Sequence, residues 1–515
     1  MERDGISEKQ WDAIVVGTGV GGGTIGRALA EKGLSVLFLE KGTTGIRTEE
    51  TRLNAAISDP VARTVRGFWP EPVVGRLNGQ ESTFYAPLGS GVGGSSVFYA
   101  AALERPEPHD FDDQPRRPHP TGGWPISYAE MQPYFEAAEA MYHVCGTFDP
   151  LSDVQSPMLV SPPPQPPGDA AIMEQLRRNG LHPYHLHSAI RHVNGCLECR
   201  GSKCPRTCKM DGRSAGVEPA LTTGHAHLLD RCEVTRIFVD GARATGVRAC
   251  HNGEEVSFKA NRIILAAGAL SSPRLLMASE IVDGSRLMGR NLMFHFNEIF
   301  AVWPKRSESF LSPSKSVGFR DLYHVDGERL GMVQAMGLDA SYGDIVHHLR
   351  QLLARSPMRK SRLLYEAARL PAFLAARLLG NAKIFVGLLE DYPLACNRVV
   401  FDQLRPGRIL FNYQVPDELI GRRARFRKLI RKAFRGQRVL LLTHRPEPNY
   451  GHPCGTLRFG RNAATSVLDP DCRVHGLENL YAVDSSFMPT STGVNPSLTI
   501  AANALRVAER IQEGP

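Results

Sequence analysis

The chain has 515 residues, enough for about three to four domain-sized units, and its 42% hydrophobic and 22% charged content excludes a disordered or collagen-like polypeptide. No stretch reaches the ~18 uninterrupted apolar residues of a membrane helix, and the polar, acidic start MERDGISEKQWD is not a secretory signal. Ten cysteines are too dilute for a disulfide scaffold, so a cytoplasmic enzyme is the expectation.

The first informative stretch begins at Asp12–Val16, a short β-branched run that reads as a buried strand. Gly17-Thr18-Gly19-Val20-Gly21-Gly22-Gly23 follows, then an alanine-rich helix from Thr24 to Lys32, then a second strand Ser35–Leu39 ending at Glu40. A G-x-G-x-x-G string between strand and helix, with an acid about 20 residues on, points to a bound dinucleotide. Gly17 permits the tight turn, Gly19 lets backbone N–H groups approach a pyrophosphate, and Gly22 lets helix and strand pack closely. The helix N-terminus favours the phosphates, and Glu40 can accept from the ribose hydroxyls. The motif does not choose between NAD and FAD. One N-terminal fingerprint with no second copy suits a tightly held FAD.

Further along, Leu88–Tyr99 is a second glycine-rich loop containing Gly93, Gly94 and Ser96. Cys196, Cys199, Cys204 and Cys208 gather four thiols, a spacing open to zinc or an iron–sulfur cluster, to local disulfides or to unlinked thiols; no residue is assigned as a metal ligand. The Pro-rich stretch 161–167 reads as a stiff linker. Arg262–Leu276 is a buried strand leading through Gly268 into a helix. Residues 341–380 read as helices broken by Pro357 and Pro371, open to a packed helical cap, a lid or a patch that docks on a membrane. The basic run from Arg422 to Arg438, interleaved with Phe426, Leu429, Ile430 and Phe434, reads as an amphipathic helix with a solvated basic face. Nucleic acid is not expected, since no recognition module accompanies it. Peripheral membrane contact is not predicted.

The C-terminal part carries His452-Pro453-Cys454-Gly455-Thr456, then Val474–Asp484, then Gly493-Val494-Asn495-Pro496-Ser497 ahead of an alanine-rich helix. Together with the two glycine loops and the block 230–296, these motifs resemble the glucose–methanol–choline (GMC) oxidoreductase family of FAD-dependent alcohol oxidases and dehydrogenases. The His-Pro and Gly-Val-Asn-Pro endings are most similar to the cholesterol oxidase-like branch. Val97–Phe111 is somewhat similar to enzymes oxidising sugar hydroxyls in aminoglycoside biosynthesis.

The resemblance implies an α/β fold, with a discontinuous Rossmann-like FAD domain (10–110, 212–294 and 450–513) and an α+β substrate-binding domain (111–211 and 295–449). It implies His452 as the base and Asn495 as its partner. It also places Gly17, Gly19, Gly22, Glu40, Gly93, Gly94, Ser96, Val234, Gly268, Asp484 and Pro496 along the cofactor. His295, in a block shared by the family, is expected to be structural. Two departures stand out: Tyr99 occupies a place where many members have Asn or His, and Glu280 replaces a glycine that often follows the helix after Gly268. No histidine lies between Glu81 and Pro108, where covalent-flavin members attach the cofactor, so non-covalent FAD is expected. The expected reaction is oxidation of a CH–OH group on a small molecule, sugar-like or a secondary metabolite, with dioxygen or another carrier as acceptor. The competing readings are a non-oxidative flavoprotein, such as a lyase or photodecarboxylase, and a sterol or fatty alcohol oxidase.

Overall fold

The computed structural model describes residues 3–48, 59–303, 314–337, 361–380 and 382–513, with 345–346, 349–350, 352–353 and 358. In chain order, the elements that position the site are β1 (Ala13–Val16), α1 (Val20–Glu31), β2 (Val36–Leu39), β3 (Ala226–Leu229), β4 (Ile263–Leu265), β5 (Phe296–Trp303), β6 (Gly318–Phe319), β7 (Val333–Ala335), β8 (Lys383–Leu389), α2 (Asp417–Ala433), β9 (Arg438–Leu441), β10 (Leu480–Ala482) and α3 (Ser497–Glu513).

Five strands form a parallel sheet in the order β10-β4-β1-β2-β3. The runs Ala-Ile-Val-Val, Val-Leu-Phe-Leu and Ile-Ile-Leu are buried throughout, as a parallel sheet covered on both faces requires. Helix α1 starts at Val20, inside the glycine run, rather than at Thr24. Glycine is a poor helix former, but here backbone contacts demand it. A Cβ on Gly21 would stand 2.3 Å from Val483 O, and one on Gly23 would stand 2.4 Å from Gly212 O. The second of these contacts is with a π-helical turn, Gly212–Val217, that packs on α1. The fold is thus α/β, with an antiparallel meander over Cys232–Ala260 beside the parallel sheet.

The second sheet is antiparallel, in the order β6-β7-β8-β5-β9. One face, with Phe300, Val333, Ala335 and Phe385, packs against Phe426 and Ile430 of α2. The other presents Met332, Val386 and Leu388 to Val494, in the loop before α3. This contact brings β7 to the loop that carries Asn495. A further sheet joins the hairpin Val73–Phe84 to strands Arg398–Val400 and Leu410–Tyr413.

The basic run is not one solvated helix. Helix α2 ends at Ala433, and Arg438 lies in β9 with its guanidinium over Trp303. Arg422 and Arg423 are buried: Arg423 pairs with Glu298, and Arg422 donates to the carbonyls of Arg329 (3.0 Å) and Glu390 (2.8 Å). Charges placed among apolar residues found partners inside the molecule. Helices occupy Arg362–Ala367 and Arg369–Leu379, with Pro371 tolerated in the first turn of the second. Most of the expected helical region 341–360, including Pro357, lies outside the described residues. Among the described residues no helix is long and apolar enough to cross a membrane.

Candidate active site

At the dinucleotide end, Gly17 adopts φ +95°, and a Cβ there would stand 2.5 Å from Ala266 O. A Cβ on Gly22 would meet Gly17 O at 2.1 Å, so helix and loop close on each other only because both are glycines. Gly19 differs: a Cβ there meets nothing within 4 Å. The backbone is bare toward open space, the condition for a pyrophosphate to reach its N–H groups. Glu40 is buried at the end of β2, accepting from Thr18 N (3.1 Å), Thr18 Oγ1 (2.6 Å) and Gly42 N (3.0 Å). Burial pushes its carboxyl up.

Thr18 Oγ1 also accepts from Gly93 N at 3.1 Å, tying the second glycine loop to the first. Gly94 lies so close that a Cβ would stand 2.9 Å from Gly19 Cα. Ser96 Oγ donates to Gly93 O (2.6 Å) and accepts from Gly212 N (2.9 Å), so its hydroxyl braces the loop. Cys232 N donates to Glu40 O at 2.8 Å, which sets the strand bearing half-buried Val234 beside Glu40. At the other end, Asp484 Oδ2 accepts from Gly268 N (2.9 Å) and Ser272 Oγ (2.5 Å), and Oδ1 accepts from Ser486 N (2.9 Å). One carboxylate thereby joins the ends of β4 and β10. Gly268, at φ +88°, also faces open space. Pro496 is buried at the head of α3. These open glycines, the buried acid and the crossed loops fit an extended dinucleotide.

The expected catalytic pair, His452 and Asn495, is held by a set of hydrogen bonds. His295, 1% exposed, has Nε2 3.0 Å from Thr492 O, and its Nδ1 is 3.2 Å from Nδ1 of His452. A carbonyl only accepts, so His295 Nε2 carries the hydrogen and its Nδ1 is the acceptor. His452 Nδ1 must then be the donor, which leaves His452 Nε2 with its lone pair. The rings meet edge-on, at 84°. Burial pushes His452 well below the ordinary histidine range, reinforced by His295 and Lys315, and burial pushes His295 down to about 4. His295 is buried and lies between the Thr492 carbonyl and the His452 ring, where it sets the tautomer of its neighbour. Asn495 Oδ1 accepts from Gln334 Nε2 at 2.9 Å, so the Asn495 amide NH2 is the end left to donate. Gln334, on β7, was not picked out from the sequence, since nothing local in a three-residue strand marks it. Its Oε1 and the hydroxyl of Thr492 are buried without a hydrogen-bond partner among the described residues.

Residues 11–297 match the N-terminal domain of the GMC oxidoreductases, and residues 429–504 match the C-terminal domain. The chain belongs to the GMC oxidoreductase family. It is 26% identical to 6'''-hydroxyparomomycin C oxidase of Streptomyces lividus, over 99% of this chain and 93% of that protein. It is also 26% identical to 2-methyl-1,2-propanediol dehydrogenase of Mycolicibacterium austroafricanum, over 98% and 96%. Its fold is shared with the crystal structure of pyridoxine 4-oxidase from Mesorbium loti, with TM-score 0.64, 19% identity and coverage of 98% and 100%. As a GMC oxidoreductase the chain is an FAD-dependent enzyme acting on CH–OH groups.

In this GMC chain the cysteine-rich segment lies against the second glycine loop. Lys209, 1% exposed, donates from Nζ to the carbonyls of Val97 (2.7 Å), Cys199 (2.8 Å) and Ser202 (2.5 Å). Tyr99 OH donates to Met210 O. The Cys208 thiol neighbours those of Cys196 and Cys204, and this crowding adds to a burial effect that pushes it up to about 12. All ten cysteines are thiols, and among the described residues no group of three or more His, Cys, Asp or Glu is arranged to hold a metal ion.

Proposed function

We propose that this GMC enzyme oxidises a hydroxyl of a small sugar-like or secondary-metabolite alcohol, with His452 taking the hydroxyl proton at Nε2 and Asn495 orienting the oxygen. The carrying observation is the hydrogen-bond chain Thr492–His295–His452, which leaves one imidazole nitrogen with a lone pair. Burial keeps that imidazole neutral, so it is ready as a base. The Asn495 amide can donate to the alcohol oxygen without competing for its proton, and Gln334 holds the amide in that orientation. FAD, when bound, supplies the hydride acceptor. The residues that would hold it are Gly17, Gly19, Gly22 and Glu40 at the adenosine and pyrophosphate end, with the backbone near Val234, Gly93, Gly94, Ser96, Gly268, Asp484 and Pro496 along the rest.

The division into a discontinuous FAD domain and a substrate domain, non-covalent attachment and a cytoplasmic location belong to the same reading. Likeness to the cholesterol oxidase-like branch is carried over for the catalytic pair alone, not for a sterol substrate. The acceptor is dioxygen or another carrier.

His452→Ala should keep its bound flavin yet slow anaerobic bleaching of the flavin band by an alcohol substrate by about 10²–10⁴-fold. Bleaching at the normal rate would remove His452 from the mechanism. The pH profile gives a second check. A base must be neutral to act, and a depressed pKa extends its neutral range downward. kcat/KM should therefore hold its plateau below pH ~6.5, where an ordinary imidazole is half protonated. Acid precipitation should release intact flavin into the supernatant; flavin in the pellet would overturn non-covalent attachment.

A further inference from the structure

The antiparallel sheet presents one face to α2 and the other to the loop that carries Asn495, and side chains alternate between those faces along each strand. On β8, Phe385 and Leu389 lie on the α2 side, while Val386 and Leu388 meet Val494. The register pairs Gln334 with Val386 and Asn297 with Leu388, so both amides lie on the Val494 face. Glu390 follows Leu388 with the same parity, and the ladder that pairs Phe296 with Leu389 sets it across from His295. The bond from Phe294 N to Asp391 Oδ2, at 3.0 Å, continues that register one step further. This face also anchors the candidate pair: Gln334 donates to Asn495 at 2.9 Å, and His295 lies 3.2 Å from His452.

The polar groups of this face have lone pairs to spare. Gln334 Oε1, Glu390 Oε1 and Asn297 Oδ1 are buried and accept no hydrogen bond among the described residues. Gln334 and Glu390 are each 1% exposed. The other Glu390 oxygen, Oε2, lies 4.0 Å from Arg329 Nη1. An amide oxygen and a carboxylate oxygen only accept, so what this face lacks is donors. A buried acceptor left unpaired is costly, and a ligand that brings O–H or N–H groups removes that cost on binding. A ligand with acceptors alone does not. Burial pushes the Glu390 carboxyl up to about 7, and an ammonium beside it would favour its ionised form.

We infer that Gln334, Asn297 and Glu390 form a donor-recognition surface beside the candidate pair, and that the alcohol presented to His452 carries further hydrogen-bond donors, hydroxyl or amino groups, away from the reacting carbon. The inference rests on the alcohol-oxidation reading for the reacting hydroxyl, but not for the second donor, so the two can be tested apart.

Tertiary alcohols have no carbinol hydrogen and so bind without being oxidised. Holoenzyme titrated with tert-butanol, 1-methoxy-2-methylpropan-2-ol, pinacol and 1-amino-2-methylpropan-2-ol, followed through the flavin band, reads recognition alone. Pinacol, the amino alcohol or both should bind at least about tenfold more tightly than the first two, and which of them does so separates hydroxyl from ammonium. A preference for pinacol should shrink about threefold to tenfold in Gln334→Met and in Asn297→Leu, and return in Gln334→Glu, which restores an acceptor. A preference for the amino alcohol should shrink at least about tenfold in Glu390→Gln, whose amide keeps an oxygen but not the charge. Flavin content should match the wild type in every variant; its loss would mean that these oxygens serve the cofactor and would overturn the inference. Oxidation is then compared across propan-1-ol, 3-methoxypropan-1-ol, propane-1,3-diol and 3-aminopropan-1-ol, with kcat/KM expected to favour the last two. A binding preference without oxidation of any alcohol upholds the surface and removes the alcohol reading. Equal affinity across the four tertiary alcohols, undetectable binding included, or preferences unchanged in all the variants, overturns the donor-recognition surface.

Discussion

The two glycine loops and the buried ionic core around Arg320 and Arg329 support the candidate site by opposite means. The loops have almost no side chains: Gly94 lies against Gly19, Gly212 against Gly19 and Gly216 against Gly23, backbone on backbone. The ionic core is all side chains. Arg320 joins Glu104 and Glu107 and lies 3.4 Å from Asp149, while Arg329 and Tyr323 share Asp110, all of them buried. Tyr323 OH in turn accepts from Gly493 N at 3.1 Å, so this core reaches the loop that carries Asn495. Where a flat ligand must approach the main chain, small residues are required. Where loops must hold a precise position, buried charge supplies directional bonds at a desolvation cost.

The largest effect that would break this comparison is at Gly22. Gly22→Ala places a methyl 2.1 Å from Gly17 O, backbone that cannot move aside, and should abolish flavin binding and leave little folded protein. Gly19→Ala meets no protein atom, so its secondary structure by circular dichroism should match the wild type while its flavin affinity falls by at least about tenfold. If Gly19→Ala binds flavin normally, the open space above Gly19 is not the pyrophosphate site.

A smaller effect sharpens the other side. Arg320→Met leaves Glu104, Glu107 and Asp149 buried without their cation and should cost about 3–5 kcal/mol in denaturant unfolding. The pH dependence has a definite sign. Glu107 sits with its carboxyl pushed up to about 7 by burial, even with Arg320 attached. A carboxyl raised in the folded state stabilises fully at low pH and loses that contribution as pH climbs through its folded pKa. Removing the arginine raises such carboxyls further, so moving from about pH 5 to about pH 8 should destabilise the variant more than the wild type. A variant as stable as wild type at both pH values would mean that these charges do not depend on one another.

The same contrast explains what the sequence could disclose. Gly17, Gly19, Gly22 and Glu40 fall within one strand–loop–helix–strand unit, where spacing alone fixes relative position, and the parallel sheet follows from short runs of β-branched residues. His452 and Asn495 were recognisable only through motif resemblance. The groups that set their state, His295 with Thr492 and Gln334 with Asn495, are separated by 197 and 161 positions. No periodicity links them. The ionic core is further hidden, because Glu104, Asp110, Arg320 and Arg329 look like ordinary surface charge until the antiparallel sheet buries them. The basic run misled for the same reason: Arg422 and Arg423 sit on the buried side of α2 because carbonyls and Glu298 wait there.

The smallest expected effect concerns Glu280, where the sequence departs from glycine and the backbone does not. It follows the helix Ser272–Ala278 with φ +58°, a left-handed position. A side chain there costs about 1–2 kcal/mol relative to glycine's freedom. Its compensation is an ion pair with Arg236 at 2.6 Å, with side chains 77% and 42% exposed, and exposed pairs contribute at most about 1 kcal/mol. Glycine also adds about 0.5–1 kcal/mol of unfolded-state freedom, so Glu280→Gly should gain only about 0.5 kcal/mol, seen as a rise of about a degree in Tm. Arg236→Ala removes the pair without touching the backbone and should change Tm by less. A fall in Tm for Glu280→Gly together with an equal fall for Arg236→Ala would mean that the pair, not the backbone, decides this turn.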